Sequence, residues 1–277
     1  MPVPAKRRQP HVPAISRPLL AFFQHIVRRY FRRHFHAVRL AGTHHLSDIS
    51  GPLIIYANHG SWWDPMVAFL LADQLFPARS HFAPMDASAL ARYPILRKLG
   101  VFPLEMNSPR GGAQFLRTGK AVLASGGVLW ITPQGEFVDP RRRPVRFKPG
   151  LAALASRAVP CTLLPLAIEY TFWDERLPEA LLLFGNPIRL EAAPESPIDA
   201  RLASALTRTM DQLQVLALTR SPAAFARTLT TGTVGVGGFY GLGQRLRSLL
   251  TRQPYHPEHT RPIPTPAAPA SEDASRP

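Results

Sequence analysis

The sequence predicts an α/β fold in which a mostly parallel β-sheet is covered by helices, with an amphipathic helix ahead of the sheet. Between residues 53 and 184, short apolar segments typical of strands alternate with segments of helical periodicity. Strands that alternate with helices form largely parallel sheets whose two faces are both covered. With 277 residues, 45% of them hydrophobic, the chain is also long enough to bury a substantial core.

Residues 1–37 are predicted to form a basic leader and an amphipathic helix. Residues 1–13 are basic and rich in proline, which predicts disorder. The next apolar residues recur at helical spacing: Leu19, Phe23, Ile26, Val27, Tyr30 and Phe31. Four arginines flank this stripe: Arg28, Arg29, Arg32 and Arg33. Such a helix is typical of the membrane interface, but a helix packed on its own domain with a solvated basic edge has the same pattern.

The main domain is predicted to span residues 38–220. We expect strands at Leu53–Ala57, Ser80–Pro84, Val101–Leu104, Val128–Thr132, Thr162–Ile168 and Leu181–Phe184. We expect helices at Pro65–Ala72, Ser88–Leu99, Ala113–Ala124, Gly150–Arg157 and about 197–218. The last of these follows a capping serine and a proline in its first turn. In such a fold, functional loops lie beyond the carboxyl ends of the strands.

Two further segments follow the main domain. Residues 221–256 form a predicted glycine-rich extension, in which Thr230–Gly243 carries six glycines among apolar residues and predicts an irregular segment. It lacks the preceding strand and following helix that a phosphate-binding loop requires. Residues 257–277 are rich in proline and alanine and are predicted to be disordered.

The charge of the chain favours an anionic partner. The formal net charge is +15 and the sequence pI is about 11.2, with four lysines among 33 basic residues. Both nucleic acid and an anionic lipid surface fit this charge. The single cysteine, Cys161, excludes an intramolecular disulfide and a cysteine-rich metal site, and it is expected to be a buried apolar residue. No run of eighteen apolar residues and no signal peptide are found, so we expect a cytoplasmic protein that adsorbs to a membrane.

One polar cluster carries recognisable chemistry. Asn58, His59 and Asp64 directly follow the strand Leu53–Ala57, where parallel sheets place their sites. If the loop folds back, Asp64 can accept the proton on one ring nitrogen of His59, and the other nitrogen can then take a proton from a substrate hydroxyl. This is the base and orienting acid of a catalytic triad in which the substrate supplies the nucleophile. The alternative is a loop histidine beside a helix-capping aspartate.

The cluster resembles the first motif of the glycerolipid (lysophosphatidate-type) acyltransferases, Asn-His-x-x-x-x-Asp. The resemblance runs from about Val38 to Leu190 and includes three further blocks in family order: Gly100–Glu105, Thr132–Phe137 with Phe147–Gly150, and Val159–Ile168. It implies transfer of an acyl chain from acyl-CoA or acyl carrier protein to a lipid hydroxyl, without a metal or other cofactor. His59 and Asp64 would be catalytic. The resemblance assigns substrate binding to six residues: Asn58, Glu105, Arg110, Gln134, Gly135 and Lys148.

The sequence departs from the family pattern at three positions. Glu105 and Phe137 stand where family members commonly have arginine, and Gln134 replaces a glutamate. An acceptor resembling 1-acylglycerol-3-phosphate is one expectation. Arginine at the positions of Glu105 and Phe137 would bind a phosphate through paired hydrogen bonds. Because both arginines are missing, a neutral or zwitterionic acceptor such as a glycosylated terpenoid or a lyso-aminolipid is the alternative. Backbone amides around Gly135 are candidate donors to the tetrahedral oxyanion.

Two other classes of protein remain as alternatives. A basic nucleic-acid-binding protein has only the net charge in its favour, and no nucleic-acid-binding motif accompanies it. A catalytically inactive lipid-binding relative would explain the altered motifs but not the presence of both His59 and Asp64. We therefore expect an enzyme on the cytoplasmic face of the inner membrane, peripheral or monotopic, bound to an anionic lipid surface and not to nucleic acid.

Overall fold

The computed structural model describes residues 12–232 of the chain. Residues 12–173 and 177–232 belong to one unit, built of strands and helices. The second unit combines Asp174–Arg176 with residues 234–277 and lies almost entirely outside the described residues. The predicted disordered leader and tail, and most of the glycine-rich segment, also fall outside them.

Nine strands and six α-helices make up the described part of the chain. The strands are β1 Ala37–Ala41, β2 Leu53–Ala57, β3 His81–Asp86, β4 Val101–Leu104, β5 Val128–Ile131, β6 Cys161–Thr171, β7 Glu179–Phe184, β8 Ile188–Leu190 and β9 Arg227–Thr231. The helices are α1 Arg17–His34, α2 Asp64–Leu75, α3 Ala87–Arg92, α4 Pro109–Ala124, α5 Gly150–Ala155 and α6 Asp199–Leu218.

The strands form one mixed sheet in the order β4-β3-β5-β2-β6-β7-β1-β9, with β8 paired to β6. The run from β4 to β6 is parallel throughout, and β1 and β7 are parallel as well. The antiparallel pairs are β6–β7, β6–β8 and β1–β9. The predicted mostly parallel, helix-covered sheet and the helix ahead of it are therefore confirmed.

Helices cover both faces of the sheet and bury a separate apolar cluster on each. On β2, Ile54 and Tyr56 join the cluster beneath α4, α5 and α6, whereas Leu53 and Ile55 join the cluster beneath α1 and α2. Alternate residues of a strand point to opposite faces, so a strand covered on both sides reads as a continuous apolar run. This is why Leu53–Ala57 is identifiable from the sequence.

Part of the apolar stripe of α1 packs against the domain. Val27 and Phe31 are buried in the cluster shared with α2, and the ring of Phe23 lies edge-on to Phe69 at 4.9 Å. An ion pair between Arg28 and Asp73 also joins α1 to α2. Packing on the domain therefore accounts for Phe23, Val27 and Phe31, and contact of α1 with a membrane stays a prediction. The exposed apolar side chains of the helix are Phe22 and Ile26.

The helix predicted over Ser88–Leu99 is two shorter elements. α3 ends at Arg92, and a 3₁₀-helix covers Pro94–Lys98. Tyr93 between them has φ −127° and ψ 62°, outside the helical region. The ring of Pro94 disfavours helical backbone in the preceding residue, so the break follows from the sequence itself.

The strands β1, β8 and β9 are not predicted from the sequence. β1 carries a buried charge, and β9 pairs with β1 beside it. Arg39 at the centre of β1 forms two hydrogen bonds with Glu179 of β7, at 3.0 and 3.3 Å, and one with Thr228 of β9 at 3.4 Å. Its guanidinium carbon also lies 5.3 Å from the ring centre of Trp173. A charged residue at the centre of a five-residue segment interrupts the apolar pattern that predicts a strand. The partners of Arg39 are distant in sequence, so no local pattern shows that this charge is buried.

Candidate active site

The site lies where β2 and β5 end. These neighbouring parallel strands pair Tyr56 with Ile131, so the loops that follow them leave the same edge of the sheet. The loop after β2 carries Asn58 and His59 and leads into α2, and the loop after β5 carries Gln134 and Gly135. The two loops are joined by a 2.8 Å hydrogen bond from the Val138 amide to the His59 carbonyl.

A short turn brings His59 and Asp64 together. The amide of Asp64 donates to the carbonyl of Ser61 at 3.1 Å, which closes the turn at the start of α2. Nδ1 of His59 then lies 2.8 Å from Oδ2 of Asp64. The imidazole side chain is 18% exposed and the carboxylate 2% exposed. Because a carboxylate oxygen can only accept, Nδ1 carries the proton and Nε2 is the nitrogen with a free lone pair.

Asp64 has two further hydrogen-bond partners. The amide of Ser61 donates to Oδ2 at 3.0 Å, and the hydroxyl of Tyr170 donates to Oδ1 at 2.8 Å. Burial, together with the charge of Asp64, raises the pKa of Tyr170 well above its ordinary value, so the phenol remains a donor. Sequence reasoning missed Tyr170, because β6 runs three residues beyond its predicted end at Ile168.

Asn58 is buried beneath the site. Its Nδ2 donates to the carbonyl of Ile168 at 2.9 Å, and its Oδ1 accepts from the Ile168 amide at 2.8 Å. These two bonds join the end of β2 to β6 in place of the backbone ladder. The structure thus gives Asn58 a positioning role instead of the predicted substrate contact, because its side chain is 1% exposed and bonded to backbone at both polar atoms.

Gln134 supports the backbone of the catalytic loop. Its Oε1 accepts the amide hydrogen of His59 at 2.8 Å, and the side chain is buried. Gly135 next to it has φ +70° and donates its own amide to the Thr132 carbonyl at 3.1 Å. The Gly135 amide is therefore engaged within its turn, and the use of other amides around Gly135 as oxyanion donors stays a prediction.

Lys148 and Met106 pack against the turn at Gly135. A Cβ atom on Gly135 would lie 2.9 Å from the Lys148 side chain and 3.2 Å from Met106, and the φ of +70° at this position favours glycine. The ammonium group of Lys148 is 3.5 Å from Oδ1 of Asn107. Lys148 therefore links the loop after β5 to the loop after β4 and brings a positive charge to this side of the site.

Phe137 is the nearest aromatic neighbour of the catalytic imidazole. Its ring centre is 4.4 Å from that of His59 at an interplanar angle of 45°, and the side chain is 63% exposed. Trp63 packs inward on Phe35 at 4.7 Å, whereas Trp62 is 59% exposed. The rim of the site is therefore apolar where the family pattern has arginine.

Within residues 12–232, no hydrogen bond or ion pair joins the side chain of Glu105 or Arg110 to His59. Both are exposed, Glu105 directly after β4 and Arg110 in the first turn of α4. Two strands, β3 and β5, separate β4 from β2 in the sheet. Of the eight predicted site residues, six are therefore connected through the loops after β2 and β5. These six are Asn58, His59, Asp64, Gln134, Gly135 and Lys148.

Cys161 lies apart from this chemistry. Cys161 is buried at the start of β6, and burial raises the pKa of its thiol to about 11. Within residues 12–232, no group of three or more His, Cys, Asp or Glu side chains is arranged to hold a metal ion. Nor does any helix in that range combine the length and apolar character needed to cross a bilayer.

A buried carboxylate hydrogen-bonded to a partly exposed imidazole, at the carboxyl edge of a mostly parallel α/β sheet, is an arrangement suited to proton transfer. Residues 37–169, just under half of the chain, match the family model described as Acyltransferase.

Two further comparisons accompany that match. A lyso-ornithine lipid O-acyltransferase of Rhizobium meliloti (strain 1021) is 32% identical over 158 residues. The alignment covers 52% of each protein, so the chain spans about half the length of this curated relative. The crystal structure of the 1-acyl-sn-glycerophosphate acyltransferase PlsC from Thermotoga maritima matches with a TM-score of 0.50 and 17% identity. That match covers 70% of this chain and 80% of the other, and it shows a shared fold.

Proposed function

We propose that this protein is an O-acyltransferase that moves a fatty acyl group from an acyl thioester to the hydroxyl of a lysolipid. One observation carries the proposal: Nδ1 of the partly exposed His59 is 2.8 Å from the buried carboxylate of Asp64. An imidazole held in this way offers Nε2 to a substrate. The family of residues 37–169 supports acyl transfer as the reaction that uses this base.

The proposed reaction needs no protein nucleophile. Nε2 of His59 accepts the proton of the acceptor hydroxyl while the hydroxyl oxygen attacks the thioester carbonyl carbon. The tetrahedral intermediate then collapses, the C–S bond breaks, and Nε2 returns the proton to the departing thiolate. General-base catalysis of this kind contributes about 10²–10⁴-fold to the rate. The donor is acyl-CoA or acyl carrier protein, and the reaction uses no other cofactor.

Two classes of acceptor fit this reaction. A lysolipid that resembles 1-acylglycerol-3-phosphate is the first, and Lys148 beside the turn at Gly135 supplies one positive charge for its phosphate. A lyso-aminolipid is the second. It is favoured by the exposed ring of Phe137 against His59 and by the name of the Rhizobium meliloti relative. An aromatic ring offers no paired hydrogen bonds to a phosphate, whereas arginine does.

We also propose that the protein works on an anionic membrane surface at the cytoplasmic face of the cell membrane. A groove of about 410 Å³ along α1 is lined by one histidine and four arginines: His25, Arg28, Arg29, Arg32 and Arg33. Phe22 and Ile26 on the same helix are exposed. Arginines beside exposed apolar side chains favour adsorption to anionic lipid.

The test is acyl transfer by the purified full-length chain in mixed micelles, with labelled acyl-CoA and labelled acyl carrier protein as separate donors. The acceptors are lysophosphatidate, other lysophospholipids, lyso-ornithine lipid and hydroxylated terpenoid glycosides. His59→Ala removes the base, and His44→Ala removes an exposed histidine outside the site as a matched control.

We expect product from the wild type and from His44→Ala, and a loss of at least 10³-fold in His59→Ala, on the order seen when a triad member is removed. The preferred acceptor then separates the two classes. No product with either donor on any acceptor would favour the inactive relative. Full activity in His59→Ala would remove the proposed base.

A further inference from the structure

The buried carboxylate of Asp64 is held by more than the histidine it orients. Oδ2 accepts two hydrogen bonds, from Nδ1 of His59 and from the amide of Ser61. Oδ1 accepts from the hydroxyl of Tyr170 at 2.8 Å. With 2% of the Asp64 side chain exposed, water has little access to either oxygen. Tyr170 is therefore the group that satisfies Oδ1.

Tyr170 reaches Asp64 because β6 is longer than its neighbour. β2 ends at Ala57, which pairs with Leu166, and β6 continues to Thr171. Alternate residues beyond Leu166 share one face, so Ile168 and Tyr170 follow Leu166 toward the start of α2. Tyr170 also packs against Phe35, with 5.8 Å between the ring centres. Both the strand and this packing fix the direction of its hydroxyl.

We propose that Tyr170 is a positioning residue of the catalytic site: its hydroxyl fixes the rotation of the Asp64 carboxylate and thereby holds His59 with the proton on Nδ1. The expected changes in kcat and KM rest on the proposed acyl transfer. The expected change in the His59 tautomer does not. Without the phenol, Oδ1 is a buried carboxylate oxygen without a partner, which is costly. The carboxyl group then rotates or takes up a proton, and either change weakens its bond to Nδ1.

The variant Tyr170→Phe removes only the hydroxyl and keeps the ring that packs on Phe35. Tyr56→Phe is the matched control, because Tyr56 is fully buried and its hydroxyl donates to the Leu202 carbonyl at 3.3 Å, away from the site. A hydrogen bond to a charged group contributes enough that its loss should lower kcat by roughly 10-fold or more. We expect KM for both substrates to change less than about twofold, since uniform binding is untouched.

Two measurements separate positioning from a merely structural effect. The first is a double-mutant cycle: in an Asp64→Ala background, Tyr170→Phe should change kcat by less than about twofold, because Tyr170 acts through Asp64. The second is ¹⁵N NMR of the His59 imidazole, assigned with His59→Ala. The wild type and Tyr56→Phe should show the proton on Nδ1, and Tyr170→Phe should show a mixture of tautomers.

Four results would overturn the inference: an unchanged tautomer in Tyr170→Phe, an equal loss in Tyr56→Phe, additive effects with Asp64→Ala, or a raised KM with normal kcat. The last would mean that the hydroxyl contacts substrate. If the wild type proves inactive on every acceptor, acyl transfer fails and the tautomer measurement alone decides the role of Tyr170. If the wild type is active and Tyr170→Phe matches it in every respect, only the role of Tyr170 fails.

Discussion

The orientation of a single imidazole depends on contacts from two separated parts of the chain. His59 is held at Nδ1 by Asp64 of α2, at its amide by Gln134 of the loop after β5, and at its carbonyl by Val138. Fixing both the backbone and the ring of a general base places Nε2 in one direction, which lowers the entropy lost when a substrate is aligned.

The first prediction concerns the acid partner. Asp64→Asn keeps the size of the side chain, but its amide nitrogen can donate to Nδ1 and stabilise the wrong tautomer. We expect kcat to fall by about 10³–10⁴-fold while KM changes little, as in other histidine–aspartate pairs. Steady-state kinetics beside Asp48→Asn, an exposed aspartate, provide the comparison. A kcat within 10-fold of the wild type would show that Asp64 does not set the tautomer.

A second prediction concerns the only cysteine in the chain. Burial raises the pKa of Cys161 to about 11, so at pH 8 only about one thiol in 1,000 is ionised. Alkylation by iodoacetamide should be slow in the folded protein at pH 8 and should speed up as the pH rises toward 11. Mass spectrometry follows the modification, and Cys161→Ala should retain activity within about twofold. Rapid alkylation at pH 8 that abolishes activity would instead indicate a reactive thiol.

The site is only partly predictable from the sequence. His59 and Asp64 are identifiable because they are five residues apart and directly follow a buried strand. Tyr170 lies 106 residues from Asp64. The residues around Tyr170 contain no sequence pattern that predicts the pairing of β6 with β2 or the extension of β6 beyond the end of β2. The engaged amide of Gly135 is equally invisible, because a turn hydrogen bond is a property of backbone angles and not of residue type.

At the scale of elements, α4 approaches α5 and the sheet through a glycine. A Cβ atom on Gly119 would lie 2.8 Å from Leu154 and 3.4 Å from Leu129, both fully buried. We predict that Gly119→Val lowers the free energy of unfolding by about 1–3 kcal/mol through overpacking.

Gly112 of the same helix provides the control for that prediction. It is exposed and has no atom within 4 Å of an added Cβ, so Gly112→Val should change the free energy of unfolding by less than about 0.5 kcal/mol. Urea denaturation of the two variants measures the difference. Equal midpoints would show that α4 does not pack closely at Gly119.

Strands that are short apolar runs are predicted better than a polar strand at the edge of the sheet. The strands β2, β4 and β5 are predicted almost to the residue because each is a short apolar run, and every residue of β2 and β5 is buried. The sequence of β9 is mostly polar: Arg-Thr-Leu-Thr-Thr. This segment forms a strand because it pairs with β1 at the edge of the sheet. Propensity describes a segment by itself, whereas edge pairing depends on the rest of the sheet.

For the whole molecule, the net charge of +15 predicts binding to anionic bilayers that weakens with salt. Arginines near such a surface contribute about 1 kcal/mol each, so replacing Arg29, Arg32 and Arg33 with alanine should weaken vesicle binding by roughly 100-fold. Sedimentation with vesicles containing anionic lipid measures the affinity, and neutral vesicles give the baseline.

The matched control removes three charges from the opposite face of the sheet. Arg157, Arg201 and Arg208 lie at α5 and α6, which cover the face away from α1, and all three are exposed. Replacing them with alanine should lower vesicle binding far less than the change on α1. Equal losses from the two triple variants would mean that net charge, and not α1, governs adsorption.

The charge of Arg39, which is buried in the folded protein, also affects the chain before it folds. Its carboxylate partner, Glu179, is synthesised 140 residues later, a delay on the order of 10 s at typical translation rates. Throughout that time the nascent segment Ala-Val-Arg-Leu-Ala carries a charge at its centre, which opposes pairing with other chains on crowded ribosomes. When Glu179 emerges, the same guanidinium fixes β1 beside β7, since a slip of one residue would separate the two charges. We therefore expect one side chain to oppose pairing of the unfolded strand with other chains and to fix its register in the fold.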